Sequence, residues 1–225
     1  MKHMTLTEIA KACGGVLHGG GSSAAKEVSS VTIDSRKVQK DSLFIAIKGA
    51  RVDGHDLIPQ TIEAGALCAL SERDLGDVSF PYIRVESCRQ ALKDLAEHYR
   101  RSLDIRVVGI SGSVGKTSTK EMIASVLSQK YCVLKTEGNF NNEVGLPLTV
   151  FNLREEHEVA VLEMGISDFG EMTRLARIAR PDICVITNIG CAHLEQLKDR
   201  DGILKAKTEM LAFMNPEGHI VFNGD

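Results

Sequence analysis

Between Arg106 and Phe222, short apolar runs alternate with stretches in which apolar residues recur every three or four positions. The runs Arg106–Ile110, Cys132–Lys135, Val159–Leu162, Ile183–Ile186 and His219–Phe222 read as strands, and the periodic stretches between them as helices. Several runs are apolar throughout, which predicts strands covered on both faces, as in a parallel sheet. Strand and helix in strict alternation predict right-handed crossovers and a doubly wound domain with its ligands at the carboxyl ends of the strands.

Before residue 103 the pattern is finer. A short amphipathic helix carries Leu6, Ile9, Ala10 and Cys13, and Gly19–Ala25 reads as a flexible stretch. Strand candidates follow at Val31–Ile33, Leu43–Ile47, Cys68–Leu70 and Tyr82–Val85. Ser87 opens a helix with Gln90 in the capping-box position, and its apolar stripe is Ala91, Leu92, Leu95, Ala96 and Tyr99. The fold class is therefore α/β. A small N-terminal α/β domain over 1–102 and a linker near 102–105 precede a mostly parallel, doubly wound domain over 103–225. Because the chain reaches Asp225 just after a strand, that second domain is expected to be incomplete.

Charge narrows the function classes. Lys and Arg number 27 against 30 acids, a net charge of −3, so no global basic field recruits nucleic acid and any polyanion must be held by local groups. No segment approaches the roughly 20 apolar residues of a membrane span, and the N-terminus lacks the apolar stretch of a signal peptide. The six cysteines show no C-x-x-C spacing and read as buried free thiols in a reducing cytoplasm. The chain is expected to be a monomer.

The densest chemistry lies in Gly109-Ile-Ser-Gly-Ser-Val-Gly-Lys-Thr-Ser-Thr119, between a strand and a helix. Glycines there let backbone N–H groups close around phosphate oxygens, and the helix N-terminus adds partial positive charge. Lys116 would reach the terminal phosphates and the Thr117 hydroxyl would bind Mg²⁺. The usual first glycine of such a loop falls on Ile110, with Gly109 and Gly112 on either side, so the loop is a variant.

Other positions carry weaker signals. Glu163 follows the strand Val159–Leu162, where phosphate-loop enzymes hold Mg²⁺, although a solvated strand-end acid has the same signature. A lone histidine such as His193, just past Ile183–Ile186, is more often a satisfied loop residue than a ligand. Lys205 and Lys207, on a helix spanning Ile203–Phe213, read by themselves as a solvated basic face. Asn139, Asn141 and Asn142 offer donors and acceptors, but a capped turn with Pro147 early in a helix explains them as well. In the first domain, Asp34-Ser-Arg36 and Gly49–His55 read as turns, with Arg36 and Ser35 able to hold a diphosphate.

Taken together, these segments resemble the Mur ligase family. The resemblance rests on Asp34-Ser-Arg36, Leu43–Gly49 and Asp53-Gly-His55 in the first domain. In the second it rests on Gly112–Glu121, Gly138–Pro147, Glu163-Met-Gly165, Ala192-His-Leu-Glu195 and Ala206-Lys-Thr-Glu209. The shifted glycine is typical of that family. Lys120-Glu121 and the Asn-rich segment favour the branch that joins D-Ala-D-Ala to UDP-MurNAc-tripeptide in peptidoglycan synthesis. Another ligase of the family, such as the one adding the third peptide residue, is the nearest alternative. A non-catalytic UDP-muramyl-peptide or nucleotide-binding module and a phosphate-loop kinase are more distant ones.

The resemblance implies ATP and Mg²⁺ as cofactors and an acyl-phosphate intermediate. Gly112, Ser113, Val114, Gly115, Lys116, Thr117 and Ser118 would surround the phosphates, with Asn142 and Asn223 completing the nucleotide site. Thr117, Glu163 and His193 would hold the metal. Lys207 matches a lysine that relatives carbamylate, and joins Lys116, Glu163 and His193 as a catalytic position. Ser35, Arg36, Asp53, Gly54 and His55, with Asn139 and Asn141, would bind the UDP-sugar peptide. A third, C-terminal domain is also implied, so the chain is expected to be a fragment with weak or no activity alone.

Overall fold

The computed structural model describes residues 1–190 and 194–224. The chain divides into two compact units, Met1–Ser102 and Leu103–Asp225.

In the first unit, α1 (Leu6–Ala12) starts at a complete capping box. The Thr5 hydroxyl accepts from the Glu8 amide at 3.2 Å, and the Glu8 carboxylate accepts from the Thr5 amide at 2.9 Å. Leu6, Ile9 and Ala10 form its buried face. The unit continues through β1 (Val16–His18), β2 (Val31–Thr32), β3 (Leu43–Ile45), α2 (Ile58–Glu63), β4 (Cys68–Ser71), β5 (Tyr82–Arg84) and α3 (Cys88–Arg101). Its sheet runs β1-β5-β4-β3-β2, parallel except for β1, which pairs antiparallel with β5. Phe44, Ala46, Ile58, Ala66 and Ala69 form a buried cluster against it.

Three expectations change here. The stretch 19–25 is not loose: Gly21–Ser23 makes a 3-10 turn, and the Thr7 amide donates to Ala24 O at 3.2 Å. The strand β1 carries no apolar run of its own and exists by pairing with β5. At α3 the expected stripe is buried, but only half of its box forms. The Ser87 hydroxyl accepts from the Gln90 amide, while the Gln90 carboxamide turns to Asp94 at 2.8 Å.

The second unit contains β6 (Arg106–Ser111), α4 (Lys116–Leu127), β7 (Val133–Lys135), α5 (Gly145–Val150), β8 (Val159–Glu163) and α6 (Glu171–Ala179). It continues with β9 (Ile183–Ile186), α7 (Leu194–Leu197), α8 (Arg200–Thr208), a 3-10 turn over Glu209–Phe213 and β10 (His219–Phe222). The sheet is parallel throughout, in the order β10-β9-β6-β8-β7. Val108, Ile110, Ala124, Val159, Val161 and Val185 pack as one cluster, in which each fully buried aliphatic side chain contributes about 1.5–3 kcal/mol. From β6 the chain moves to β7 on one flank and later to β9 on the other. That reversal opens a crevice at the carboxyl end of β6.

No helix among the described residues is long and apolar enough to cross a membrane. Of the cysteines described, Cys68, Cys88 and Cys184 are free and buried, whereas Cys132, at the foot of β7, is exposed and corrects the expectation of burial. Burial pushes the Cys184 thiol up to about 11.

Candidate functional site

Where β6 ends, Gly112 adopts φ +147°, and a Cβ on it would collide with the Thr187 hydroxyl just beyond β9. Gly115 adopts φ +81° and caps α4, so Lys116 and Thr117 occupy the first helical turn. Glycine is required at both places, because a side chain is excluded by contact at one and disfavoured by backbone conformation at the other. The first turn of α4 has backbone N–H groups without intrahelical partners, and these point outward from the carboxyl edge of the sheet.

The segment after β9 clasps the loop. The Asn188 carboxamide accepts from the Val114 amide at 3.1 Å and donates to the Val114 carbonyl at 3.1 Å. The Thr187 hydroxyl also donates to that carbonyl, at 2.6 Å, and the Ser113 amide donates to Asn188 O at 3.1 Å. Gly190 completes the clasp by donating its amide to Ser113 Oγ at 2.9 Å.

Two lysines converge on this loop from different helices. Lys116 Nζ donates to Gly112 O at 3.0 Å, and Lys207 Nζ, from α8, donates to the same oxygen at 3.1 Å. Lys207 is 3% exposed, so it does not lie on a solvated basic face; its neighbour Lys205 does. Burial, and then the Lys116 charge, push the Lys207 amine down to about 8.

Glu163 is the last residue of β8 rather than the first beyond it, and pairs in register with Ile110. It is 2% exposed. The Thr117 hydroxyl donates to its Oε2 at 3.0 Å, and the Asn141 carboxamide donates to its Oε1 at 2.9 Å. Asn142 Oδ1 accepts from the amides of Val144 and Gly145 at 3.1 and 2.8 Å, which closes the turn leading into α5.

A cavity of about 480 Å³ opens beside these groups, with Gly112, Ser113, Lys116, Asn141, Asn142 and Lys207 in its wall. Ser118 and Asn139 are exposed and outside that wall. Asn223 lies elsewhere, in a second cavity of about 530 Å³ that also involves Asn188, Ile186, Leu204 and Phe222. His193 lies outside the described residues. Among those described, no three His, Cys, Asp or Glu side chains form a metal cluster; the Thr117 hydroxyl and the Glu163 carboxylate stand side by side as hard oxygens that a cation could use.

In the first unit the candidate loops follow the carboxyl ends of β2 and β3. Arg36 donates through Nε and Nη2 to both oxygens of Asp34, at 2.9 and 2.8 Å, which holds the Asp34 carboxyl down at about 2. His55 is buried, with its Nδ1 2.7 Å from Asp53 Oδ1. Its Nε2 accepts from the Glu72 amide at 3.0 Å, so the proton of the neutral ring sits on Nδ1. Arg73 binds the other oxygen of Asp53 at 2.7 Å. A Cβ on Gly54 would stand 2.8 Å from the Ile47 backbone, which accounts for glycine there. The polar atoms of the 53–55 loop are thus largely engaged within the protein.

Residues 110–225 match the Mur ligase middle domain, and residues 27–100 match the Mur ligase family catalytic domain. The chain is 44% identical over 200 residues to UDP-N-acetylmuramoyl-tripeptide--D-alanyl-D-alanine ligase of Bacillus subtilis (strain 168), covering 88% of this chain and 44% of that one. The enzyme of the same name from Escherichia coli (strain K12) is 37% identical, covering 100% and 49%. Among solved structures, MurF from Acinetobacter baumannii superposes with a TM-score of 0.89 at 34% identity, covering 99% of this chain and 49% of that one. MurF ligase from Thermotoga maritima in complex with ADP gives 0.80 at 37%, covering 87% and 46%. The chain therefore spans about half the length of these relatives. With its phosphate loop and strand-end glutamate inside the matched segments, the chain belongs to the Mur ligase family.

Proposed function

We propose that this chain forms the substrate-binding and nucleotide-binding parts of a cytoplasmic, ATP-dependent amide ligase that joins D-Ala-D-Ala to UDP-MurNAc-tripeptide. The observation that carries the reading is the grouping of Lys116, Thr117 and Glu163 at the carboxyl ends of β6 and β8, in a chain whose relatives bear that activity in their names.

The γ-phosphoryl group of ATP passes to the terminal carboxylate of the tripeptide, forming an acyl phosphate and releasing ADP. The amine of D-Ala-D-Ala then attacks the acyl carbon. The tetrahedral adduct loses a proton from nitrogen and expels inorganic phosphate, leaving the amide. The protein's work is to bring anions together in line and to offset their charge. Lys116 exchanges Gly112 O for phosphoryl oxygens, and the first-turn amides of α4 receive the rest. The Thr117 hydroxyl spends its hydrogen on Glu163, which leaves its oxygen lone pairs free for a cation. Thr117 and Glu163, with His193 as the family's third position, would hold Mg²⁺, which supplies charge neutralisation at the transferred phosphoryl group. Lys207, with its amine pushed down to about 8, keeps a neutral fraction able to take up CO₂ and become a carbamate, releasing one proton. The second cavity, lined mainly by apolar side chains with the Asn223 carboxamide among them, suits the nucleotide base. Ser35, Arg36 and the Asp53–His55 loop serve the UDP-sugar.

The test is phosphate release by the full-length protein given ATP, UDP-MurNAc-tripeptide and D-Ala-D-Ala. Turnover is expected only with all three, and release indifferent to the dipeptide would sink the assignment.

A further inference from the structure

Lys120 has no part in that mechanism, yet its side chain is 1% exposed. Its Nζ donates to the Thr136 carbonyl at 2.7 Å and stands 3.1 Å from Glu121 Oε1 and 3.9 Å from Glu163 Oε2. Thr136 makes the arrangement a bracket, because its hydroxyl accepts from the Glu163 amide at 3.0 Å while its carbonyl holds the ammonium. The other partners of the Glu163 carboxylate, Thr117 and Asn141, are neutral. Among the described residues, Lys120 is the charged group within ion-pair reach of Glu163, and no second acid joins it to make a cation cluster. Burying an ammonium is costly, and a position that tolerates it here has a charge to balance.

We propose that Lys120 is the counter-charge that makes divalent-cation binding at Thr117 and Glu163 conditional on nucleotide. In the empty site Lys120 faces both Glu121 and Glu163, Lys135 pairs with Glu121 so that Lys120 is left to offset Glu163, and the Lys116 ammonium on Gly112 O adds a further positive charge to the loop. A free divalent ion meets net repulsion there. A nucleoside polyphosphate brings several negative charges, reverses the balance and carries the metal in. Lys120 is thus a positioning and charge-setting residue that touches neither substrate nor metal. The inference rests on the proposed nucleotide role of the site.

Mn²⁺ binding, followed by the electron paramagnetic resonance of the free ion, tests it without turnover. Wild-type protein is expected to bind Mn²⁺ at least ~10-fold more tightly with ADP than without. Lys120→Met, which keeps bulk and removes charge, is expected to raise the Mn²⁺ affinity of the nucleotide-free protein at least ~10-fold. Lys120→Gln keeps a neutral donor for the Thr136 carbonyl and is expected to do the same, which separates charge from packing. Lys120→Arg, with its charge retained, is expected to leave the affinity unchanged. Adding Glu163→Gln to Lys120→Met should remove the gain. The proposal is overturned by unchanged Mn²⁺ affinity in a folded neutral variant, by a gain that survives Glu163→Gln, by a gain in Lys120→Arg, or by wild-type protein that binds Mn²⁺ equally well without ADP. Failure of a fluorescent ADP analogue to bind the wild type would instead remove the nucleotide reading beneath it.

Discussion

The two candidate regions handle charge in opposite ways. In the first unit the charged groups of Asp34-Ser-Arg36 and Asp53–His55 meet partners within the same loops or beside them: Arg36 with Asp34, His55 and Arg73 with Asp53. In the second unit two ammonium groups, Lys116 and Lys207, share one carbonyl oxygen in place of a carboxylate. A loop balanced by its own ion pairs is shaped in advance and recognises through geometry. A loop left positive is built around a ligand that carries the missing charge. Under the proposed function, the difference would separate a region that orients a sugar nucleotide from one that gathers phosphates for reaction.

The comparison breaks most visibly at Lys116. Lys116→Ala is expected to lower ligase turnover in the full-length protein by about 10²–10³-fold, while calorimetric titration shows UDP-MurNAc-tripeptide binding intact. Loss of both would erase the distinction between the regions. Next in size is His55→Phe, which strands the Glu72 amide and removes the ring's bond to Asp53, whose Oδ1 keeps only the backbone amide of residue 55. It should cost about 1–3 kcal/mol of stability in urea unfolding and leave ADP binding to the second unit unchanged. Arg36→Ala, at an exposed ion pair, should leave the unfolding midpoint in place and weaken UDP-MurNAc-tripeptide binding about tenfold. Unchanged binding would show that the Asp34–Arg36 pair only shapes its turn.

A further effect concerns pH. The Lys207 amine titrates near 8 in the folded chain, below the ordinary lysine value of 10.5. Between those values the unfolded chain holds a proton that the folded chain has released, so this group makes stability rise with pH from about 8 to 10.5. In CO₂-free buffer the wild type should show that slope and Lys207→Met should lack its share. A slope identical in the two proteins would place the lysine in contact with water.

How much is legible in the sequence follows from how strongly each element is dictated locally. The strands β6, β8 and β9 of the second unit are mostly apolar on both faces, and their positions are visible without any knowledge of the tertiary fold. The strand Val16–His18 has no such signature, since pairing with Tyr82–Arg84 creates it. Glu163 can be suspected from its strand end, but its bonds to Thr117 and Asn141 join residues far apart in sequence. Buried lysines are the harder case, because composition assigns charge to solvent. A signal for Lys120 does exist: it stands four residues after Lys116 and four before the buried Ala124, which puts all three on one face of α4. For Lys207 no local pattern suffices; its burial depends on α8 reaching Gly112, which precedes it by 95 residues.

The clasp of Asn188 on Val114 has a kinetic side. A side-chain amide that meets a peptide group at both N–H and C=O does the work of a neighbouring strand, so the loop keeps its shape while empty. Ordering one residue's backbone costs about 1–2 kcal/mol, and here that cost falls in folding rather than in capture of the ligand. Under the proposed function, nucleotide would enter a mould shaped in advance. Its arrival is governed by encounter, and the discrimination between one nucleotide and another is left to how long each stays.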